Sequence, residues 1–120
     1  MRTYSLSALI IWGAVLIAGS LQPWRAPSLS YGHGLHSALH MLAFGGLAVL
    51  AILTSSRWRG IPAIVCCWSL GLALELAQHR LYGHLVEWRD VRDNSIGIAL
   101  FWALALAGLA ASRRRAEITP

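Results

Sequence analysis

Four apolar segments, each close to the length that crosses a bilayer, constrain this chain more than any other feature. They cover residues 4–21, 36–55, 61–81 and 93–111. A hydrocarbon core is about 30 Å thick, and about 20 helical residues span it. Because lipid offers no hydrogen bonds to the backbone, apolar runs of this length predict helices. The sequence therefore predicts an all-α polytopic membrane protein, a bundle of four transmembrane helices.

The composition supports the bilayer as the solvent. Of the 120 residues, 57% are hydrophobic and 12% are charged, whereas soluble domains are about a quarter charged. A soluble fold of this size could not bury so much apolar surface in one core. Since no repeat or low-complexity tract divides the chain, residues 1–120 are expected to form one domain that ends in a basic tail, 112–120.

The first segment has a second interpretation as a secretory signal peptide. Ala18, Gly19 and Ser20 resemble a small-residue cleavage site after an apolar stretch. That stretch is long for a signal sequence, so a retained helix is the favoured interpretation.

The arginines predict an orientation. All ten basic residues are arginines, against five acids, and arginines are more frequent in cytoplasmic loops. A four-span topology places six of them on the side of the termini, including the compact run Arg113–Arg115. We therefore expect a bacterial inner-membrane protein with both termini in the cytoplasm. No basic stripe or aromatic platform accompanies the charge, so nucleic acid is not an expected partner.

Polar residues interrupt the apolar segments at the outward end of the bundle. Glu75 lies about 21 Å along the third segment, and a carboxylate there needs a partner or a cavity. Gln78 and His79 follow at positions that share its helix face. His36 and His40 lie four residues apart at the same end of the second segment.

The fourth segment carries a comparable stripe at its start. Asp90, Asn94 and Gly97 are spaced i, i+4 and i+7, so they share one face, and Gly97 would allow a neighbouring helix to approach closely. The polar residues of the second, third and fourth segments all lie at the same depth in the membrane. We therefore expect them to line one pocket between the helices.

Purely structural interpretations exist for each of these residues. Asp90 or Asp93 would suit the cap of the fourth helix. Asn94 and Gln78 would serve as interhelical hydrogen-bonding groups, and His40 as a neutral core histidine. For Glu75 the structural alternative is an ion pair with one of two arginines, Arg80 or Arg89.

Metal and nucleophilic sites are not expected from these patterns. The possible ligands share this end of the bundle, namely His36, His40, Glu75, His79 and Asp90. Neither H-E-x-x-H nor C-x-x-C spacing occurs, and there is no nucleophile elbow. We therefore predict no metal and no cofactor. Cys66 and Cys67 are expected to pack as small apolar residues, and the six tryptophans mostly as membrane-interface anchors.

Two runs in the second half of the chain together resemble the signature of VanZ-like membrane proteins. They are residues 74–78 (LELAQ) and residues 87–97 (EWRDVRDNSIG). In that signature, an acidic residue and a glutamine end one helix, and a loop that contains an arginine follows. The next helix begins with an aspartate, an asparagine four residues later and a glycine three residues after that. The matching positions are Glu75, Gln78, Asp90, Asn94 and Gly97. His40, followed by Phe44 and Gly46, resembles the motif of the preceding helix, so the likeness covers residues 39–106.

Two positions depart from the VanZ-like pattern. Leu74 replaces the first acid of a frequent Asp-Glu pair, and His84 stands where an arginine is expected. Arg80 and Arg89 are candidate substitutes. Histidine lacks the two parallel donors and the permanent charge of an arginine guanidinium. If the arginine of the family binds an anionic group, His84 would bind that group more weakly.

The resemblance implies work in the bacterial cell envelope rather than a specific reaction. The family is named for a protein linked to low-level resistance to the glycopeptide teicoplanin. The leading hypothesis is an outward-facing pocket that binds a membrane lipid or lipid-linked envelope component. The expected pocket residues are His40, Glu75, Gln78, Asp90 and Asn94. The expected supporting residues are His36, Phe44, His79, Arg80, His84, Arg89 and Gly97.

Two other classes of function stay open at this point. A small accessory subunit would pack against a larger membrane complex, or against copies of itself, and use its polar residues as interhelical contacts. A membrane enzyme would use Glu75 or His40 as an acid–base group on a lipid-linked substrate.

Overall fold

The computed structural model describes residues 2–21, 33–54, 61–83 and 85–118. They form four helices, α1 (Arg2–Ser20), α2 (His33–Thr54), α3 (Ile61–Tyr82) and α4 (Trp88–Ile118). No strand occurs within these ranges. The predicted all-α fold class is therefore confirmed.

Three of the helices are long and apolar enough to cross a membrane. These spans are Gly34–Thr54, Ile61–Tyr82 and Trp88–Glu117. In α1 the apolar stretch is the shorter Ser5–Ser20, so its role as a fourth span stays a prediction. The chain is accordingly a helical membrane protein with α1 packed beside its spans.

The tightest helix contact joins α2 to α4 and depends on glycine. A side chain at Gly97 would overlap the backbone of Met41. A side chain at Gly45 would lie 2.5 Å from the ring of Phe101 and 3.1 Å from the carbonyl oxygen of Gly97. Because membrane helices associate through close packing rather than through the hydrophobic effect, such small residues decide where they cross. The close approach expected at Gly97 is present.

A small apolar core lies below this crossing. It comprises Phe44, Leu47, Ala48, Cys67, Leu74 and Ile98. The ring of Phe44 packs against Gly71, where an added side chain would meet it at 3.1 Å. Cys66 and Cys67 are both free thiols; Cys67 is buried in this core, as expected for a small packing residue, whereas Cys66 is exposed. The core fixes α3 against α2 and α4 and so sets the depth of the polar residues above it.

Helices that follow one another in the chain run in opposite directions, so α1 and α3 are parallel to each other, as are α2 and α4. Gln78 Nε2 donates a hydrogen bond to the carbonyl oxygen of Ser20 at 2.7 Å, and the Tyr82 hydroxyl donates to that of Leu21. These contacts hold the C-terminal ends of α1 and α3 together. At the opposite end of the bundle, Leu9, Thr54 and Ala63 line an apolar groove of about 250 Å³.

The fourth helix begins earlier than the apolar pattern predicts. It starts at Trp88 rather than at position 93, so residues 88–92 are helical and not loop. The amide of Asp90 donates to the Glu87 carbonyl oxygen at 2.9 Å, and the amide of Glu87 donates to Glu75 Oε1 at 2.7 Å. A side chain of α3 thus caps the polar first turn of α4, and hydropathy cannot detect such a cap.

Two other helix boundaries also differ from the prediction. The basic tail is helical as far as Ile118, and α2 begins at His33 rather than at position 36.

Two of the six tryptophans join helices. The indole of Trp12 donates to the Ala43 carbonyl oxygen at 2.9 Å, which links α1 to α2. That of Trp68 donates to Ser95 Oγ at 3.0 Å, which links α3 to α4. Trp24 and Trp58 lie outside the described residues. An indole N–H needs an acceptor inside a bilayer, and here a neighbouring helix supplies it.

Candidate functional site

Two histidines of α2 face one carboxylate of α4. His36 Nε2 lies 3.3 Å from both carboxylate oxygens of Asp90, and His40 Nε2 lies 3.4 Å from Oδ2. The parallel course of α2 and α4 and the i, i+4 spacing on α2 place the three side chains together. Asp90 is only 6% exposed. A carboxylate this deep requires these partners.

Asn94 fixes the orientation of one of these histidines. His40 Nδ1 lies 2.9 Å from Asn94 Oδ1. A carboxamide oxygen only accepts, so Nδ1 carries the proton and donates. In the neutral ring this leaves Nε2, the atom facing Asp90, with a lone pair.

Glu75 of α3 adds a second carboxylate to this end. It is 8% exposed, and its Oε1 accepts the Glu87 amide. Asp90 and His40 are among the ionisable groups close enough to act on its charge. In the described residues Glu75 forms no ion pair with Arg80 or Arg89, the structural alternative considered above. We call His36, His40, Glu75, Asp90 and Asn94 together the polar cluster.

Asp93 is a neighbouring buried acid that the sequence reasoning treated only as a possible cap. It is fully buried, and its Oδ1 accepts two hydrogen bonds from the Arg92 guanidinium, at 2.8 and 3.0 Å. Ser37 of α2 also interacts with this carboxylate. The i+3 spacing from Asp90 was a signal that Asp93 faces α2 as well. Arg92 balances the charge of Asp93 from within α4, and Ser37 contacts it from α2, so Asp93 serves as a structural contact between the two helices.

The predicted site residues separate into two groups. Three of the five predicted pocket residues, His40, Asp90 and Asn94, join through direct contacts, together with the supporting residue His36. Glu75 lies near enough to act on them electrostatically. Gln78 instead bonds to the end of α1. Of the supporting residues, Phe44 and Gly97 lie in the packed layer below, and His79, Arg80 and Arg89 are exposed. His84 lies outside the described residues.

The polar cluster is reachable from one side. The side chain of His36 is 49% exposed and that of His40 is 26% exposed, while that of Asp90 is 9% exposed. A ligand would therefore meet the imidazoles first and the carboxylates behind them. Among the described residues, neither Glu75 nor Asp90 has an arginine partner, and this acidic interior suits hydrogen-bond donors and cations. His36, His40 and Asp90 also have the donor types of a metal centre.

A scan against protein-family models, a search of curated proteins and a search of solved structures each found no match. The resemblance to VanZ-like proteins therefore remains a prediction from motif order and spacing.

Proposed function

We propose that this chain is a VanZ-like integral membrane protein of the bacterial cell envelope. Its polar cluster binds the headgroup of a membrane lipid or lipid-linked envelope component. One observation carries the proposal: spanning helices bring buried carboxylate and carboxamide groups together with two accessible imidazoles at one end. Charged groups within a membrane-spanning region are expensive, and they mark functional sites by default.

The surroundings of the cluster support an amphiphilic ligand. Leu35, Leu39 and Leu42 are about half exposed on α2, and they lie on the lipid-accessible surface beside His36. An acyl or polyprenyl chain would run along this stripe while its headgroup reaches the imidazoles. A fully water-soluble ligand has no apolar chain that could gain binding energy from these leucines.

The acidic interior favours particular headgroup chemistry. Glu75 uses Oε1 for the start of α4, and no described residue bonds to its Oε2. This oxygen is therefore free to accept from a hydroxyl or ammonium group of the ligand. The predicted orientation, with both termini in the cytoplasm, presents the cluster to the outer face of the inner membrane.

Lipid retention tests the proposal. The protein would be extracted from its native membrane in polymer nanodiscs, and its bound lipids would be identified by native mass spectrometry. Glu75→Gln keeps a side-chain oxygen for the Glu87 amide but removes the charge. Glu117→Gln makes the same change at the exposed far end of α4 and serves as the matched control.

We expect a defined lipid class to be retained by the parent and by Glu117→Gln, and to be lost from Glu75→Gln. Equal retention by all three proteins would refute the lipid site. If a stoichiometric protein partner co-purifies instead, the accessory-subunit function replaces it.

A further inference from the structure

We propose that His36, His40 and Asp90 bind one divalent transition-metal ion of the zinc class. The ligand atoms are Nε2 of each imidazole and the carboxylate of Asp90. This site goes beyond lipid binding, and it is defined by residues of α2 and α4 alone.

Two of the three ligand separations match a metal site. All three ligand atoms lie within 4.8 Å of one another, and the two shortest imidazole–carboxylate distances are 3.3 and 3.4 Å. Zinc–ligand bonds are about 2.0–2.1 Å, so neighbouring ligands of a tetrahedral ion lie about 3.3 Å apart. The widest separation exceeds that value, so an ion would draw the two imidazoles together by rotation of their side chains.

The hydrogen bond to Asn94 prepares His40 as a ligand. With Nδ1 donating to Asn94 Oδ1, the neutral tautomer of His40 directs the lone pair of Nε2 at the carboxylate of Asp90, 3.4 Å away. Either a proton on Nε2 or a metal ion has to lie between these two atoms, and metal loading decides between the two. The bond from Asn94 is also the kind of outer contact that orients metal-bound histidines.

The carboxylate of Asp90 points to the same conclusion. Its Oδ1 is buried and accepts no hydrogen bond, although His36 Nε2 lies 3.3 Å away. A buried carboxylate oxygen without a hydrogen bond is costly. A metal ion would satisfy it and would neutralise the excess negative charge of Glu75 and Asp90.

The choice of metal follows from the donors. Two imidazoles and one carboxylate suit zinc and its neighbours, whereas magnesium and calcium prefer oxygen ligands. Three protein ligands leave one position of a tetrahedral ion open, toward the accessible side of His36. Sequence spacing did not predict the site because the third ligand comes from another helix.

Metal binding can be measured without any lipid ligand, so this proposal and the lipid proposal can fail separately. The protein would carry a tag without histidines, be purified in detergent, incubated with Zn²⁺ and desalted. Its metal content would be measured by mass spectrometry. Co²⁺ would be added to a second sample, because its visible absorption reports ligand number and geometry. Mg²⁺ serves as the control ion.

We expect one Zn²⁺ per chain, and a cobalt spectrum typical of four-coordinate binding. His36→Ala and His40→Ala should abolish stoichiometric binding. Asn94→Ala should weaken it by about 10-fold to 100-fold, the usual effect of removing an outer partner. The control His79→Ala removes an exposed imidazole of α3 that lies outside the cluster and should leave binding unchanged.

Circular dichroism keeps the test decisive if one of the variants unfolds. His40→Gln retains a polar side chain, and it should be as helical as the parent yet bind no zinc. Zinc should also raise the melting temperature of the parent and not that of His40→Gln, because a ligand that binds only the folded state stabilises it. Less than one tightly held ion per folded parent chain, or full zinc binding by helical His36→Ala and His40→Gln, would overturn the proposal.

Discussion

At the scale of single residues, Glu75 has two roles. One oxygen holds the amide of Glu87 at the start of α4, and the carboxylate belongs to the polar cluster. A residue with both roles links the stability of the bundle to the proposed binding site. Substitutions that separate the two roles are therefore the most informative.

Glu75→Leu should destabilise the protein more than Glu75→Gln does. Leucine leaves the Glu87 amide without its acceptor in a partly buried position, and the loss of such a hydrogen bond costs about 0.5–1.5 kcal/mol. Glutamine retains an acceptor, so its loss in free energy of unfolding should be smaller. Thermal unfolding in detergent, followed by circular dichroism, measures both. Equal melting temperatures for the two variants would contradict the capping role.

Residue spacing predicted most of the polar cluster and failed at one position. His40, Asp90 and Asn94 were predicted from faces of single helices, and the structure brings those faces together. Gln78 lies three residues beyond Glu75 and is rotated by about 60° around α3. That rotation is enough to direct it to α1, and spacing alone does not say which neighbour lies there.

At the scale of helices, the crossing of α2 and α4 positions the cluster. Asp90 and Asn94 reach the histidines only because Gly97 brings the two backbones into contact. The sequence predicted this use of Gly97, but it placed the start of α4 too late. Hydropathy detects the apolar part of a helix and misses a polar first turn that another helix caps.

Gly97→Ala should separate the two helices and destabilise the bundle. The added methyl group would overlap the backbone of Met41, and overpacking of this kind costs about 1–3 kcal/mol. Gly108→Ala is the matched control in the same helix, since nothing lies within 4 Å of its side-chain position. Alanine is favoured over glycine in helices by about 1 kcal/mol, so the control should melt no lower than the parent. If Gly97→Ala melts as high as the control, the tight crossing is wrong.

Gln78→Ala should loosen the end of α1 without affecting the cluster. The substitution removes the hydrogen bond to the Ser20 carbonyl oxygen, and such a bond contributes about 0.5–1.5 kcal/mol. Hydrogen exchange should accelerate at the last turn of α1 and stay unchanged around Asp90. The exposed neighbour Arg80→Ala provides the comparison. Faster exchange throughout α4 would instead indicate that Gln78 supports the whole bundle.

At the scale of the whole molecule, the alternating helices separate two chemically different ends. The polar cluster occupies one end, while Arg113–Arg115 lie in the last turns of α4 at the other, and residues 111–117 are all exposed. Charge and apolar length predicted the helical membrane class. They could not predict which polar groups meet, because that depends on how the helices rotate against each other.

Reporter fusions test the orientation of the two ends. Green fluorescent protein fused after Pro120 should fluoresce, since we expect the C-terminus in the cytoplasm. Alkaline phosphatase fused after Leu85, in the loop between α3 and α4, should be active, since the cluster end is expected to face outward. The reverse pattern would place the polar cluster on the cytoplasmic side and exclude an outward-facing site.

The most direct test of the account is an experimental structure in nanodiscs made from native membranes, with an antibody fragment added for size. We predict that Glu75 bonds to the Glu87 amide and that density for a headgroup or an ion adjoins His36, His40 and Asp90. A structure in which Glu75 faces acyl chains or open water, away from Asn94 and with no such density, would contradict it.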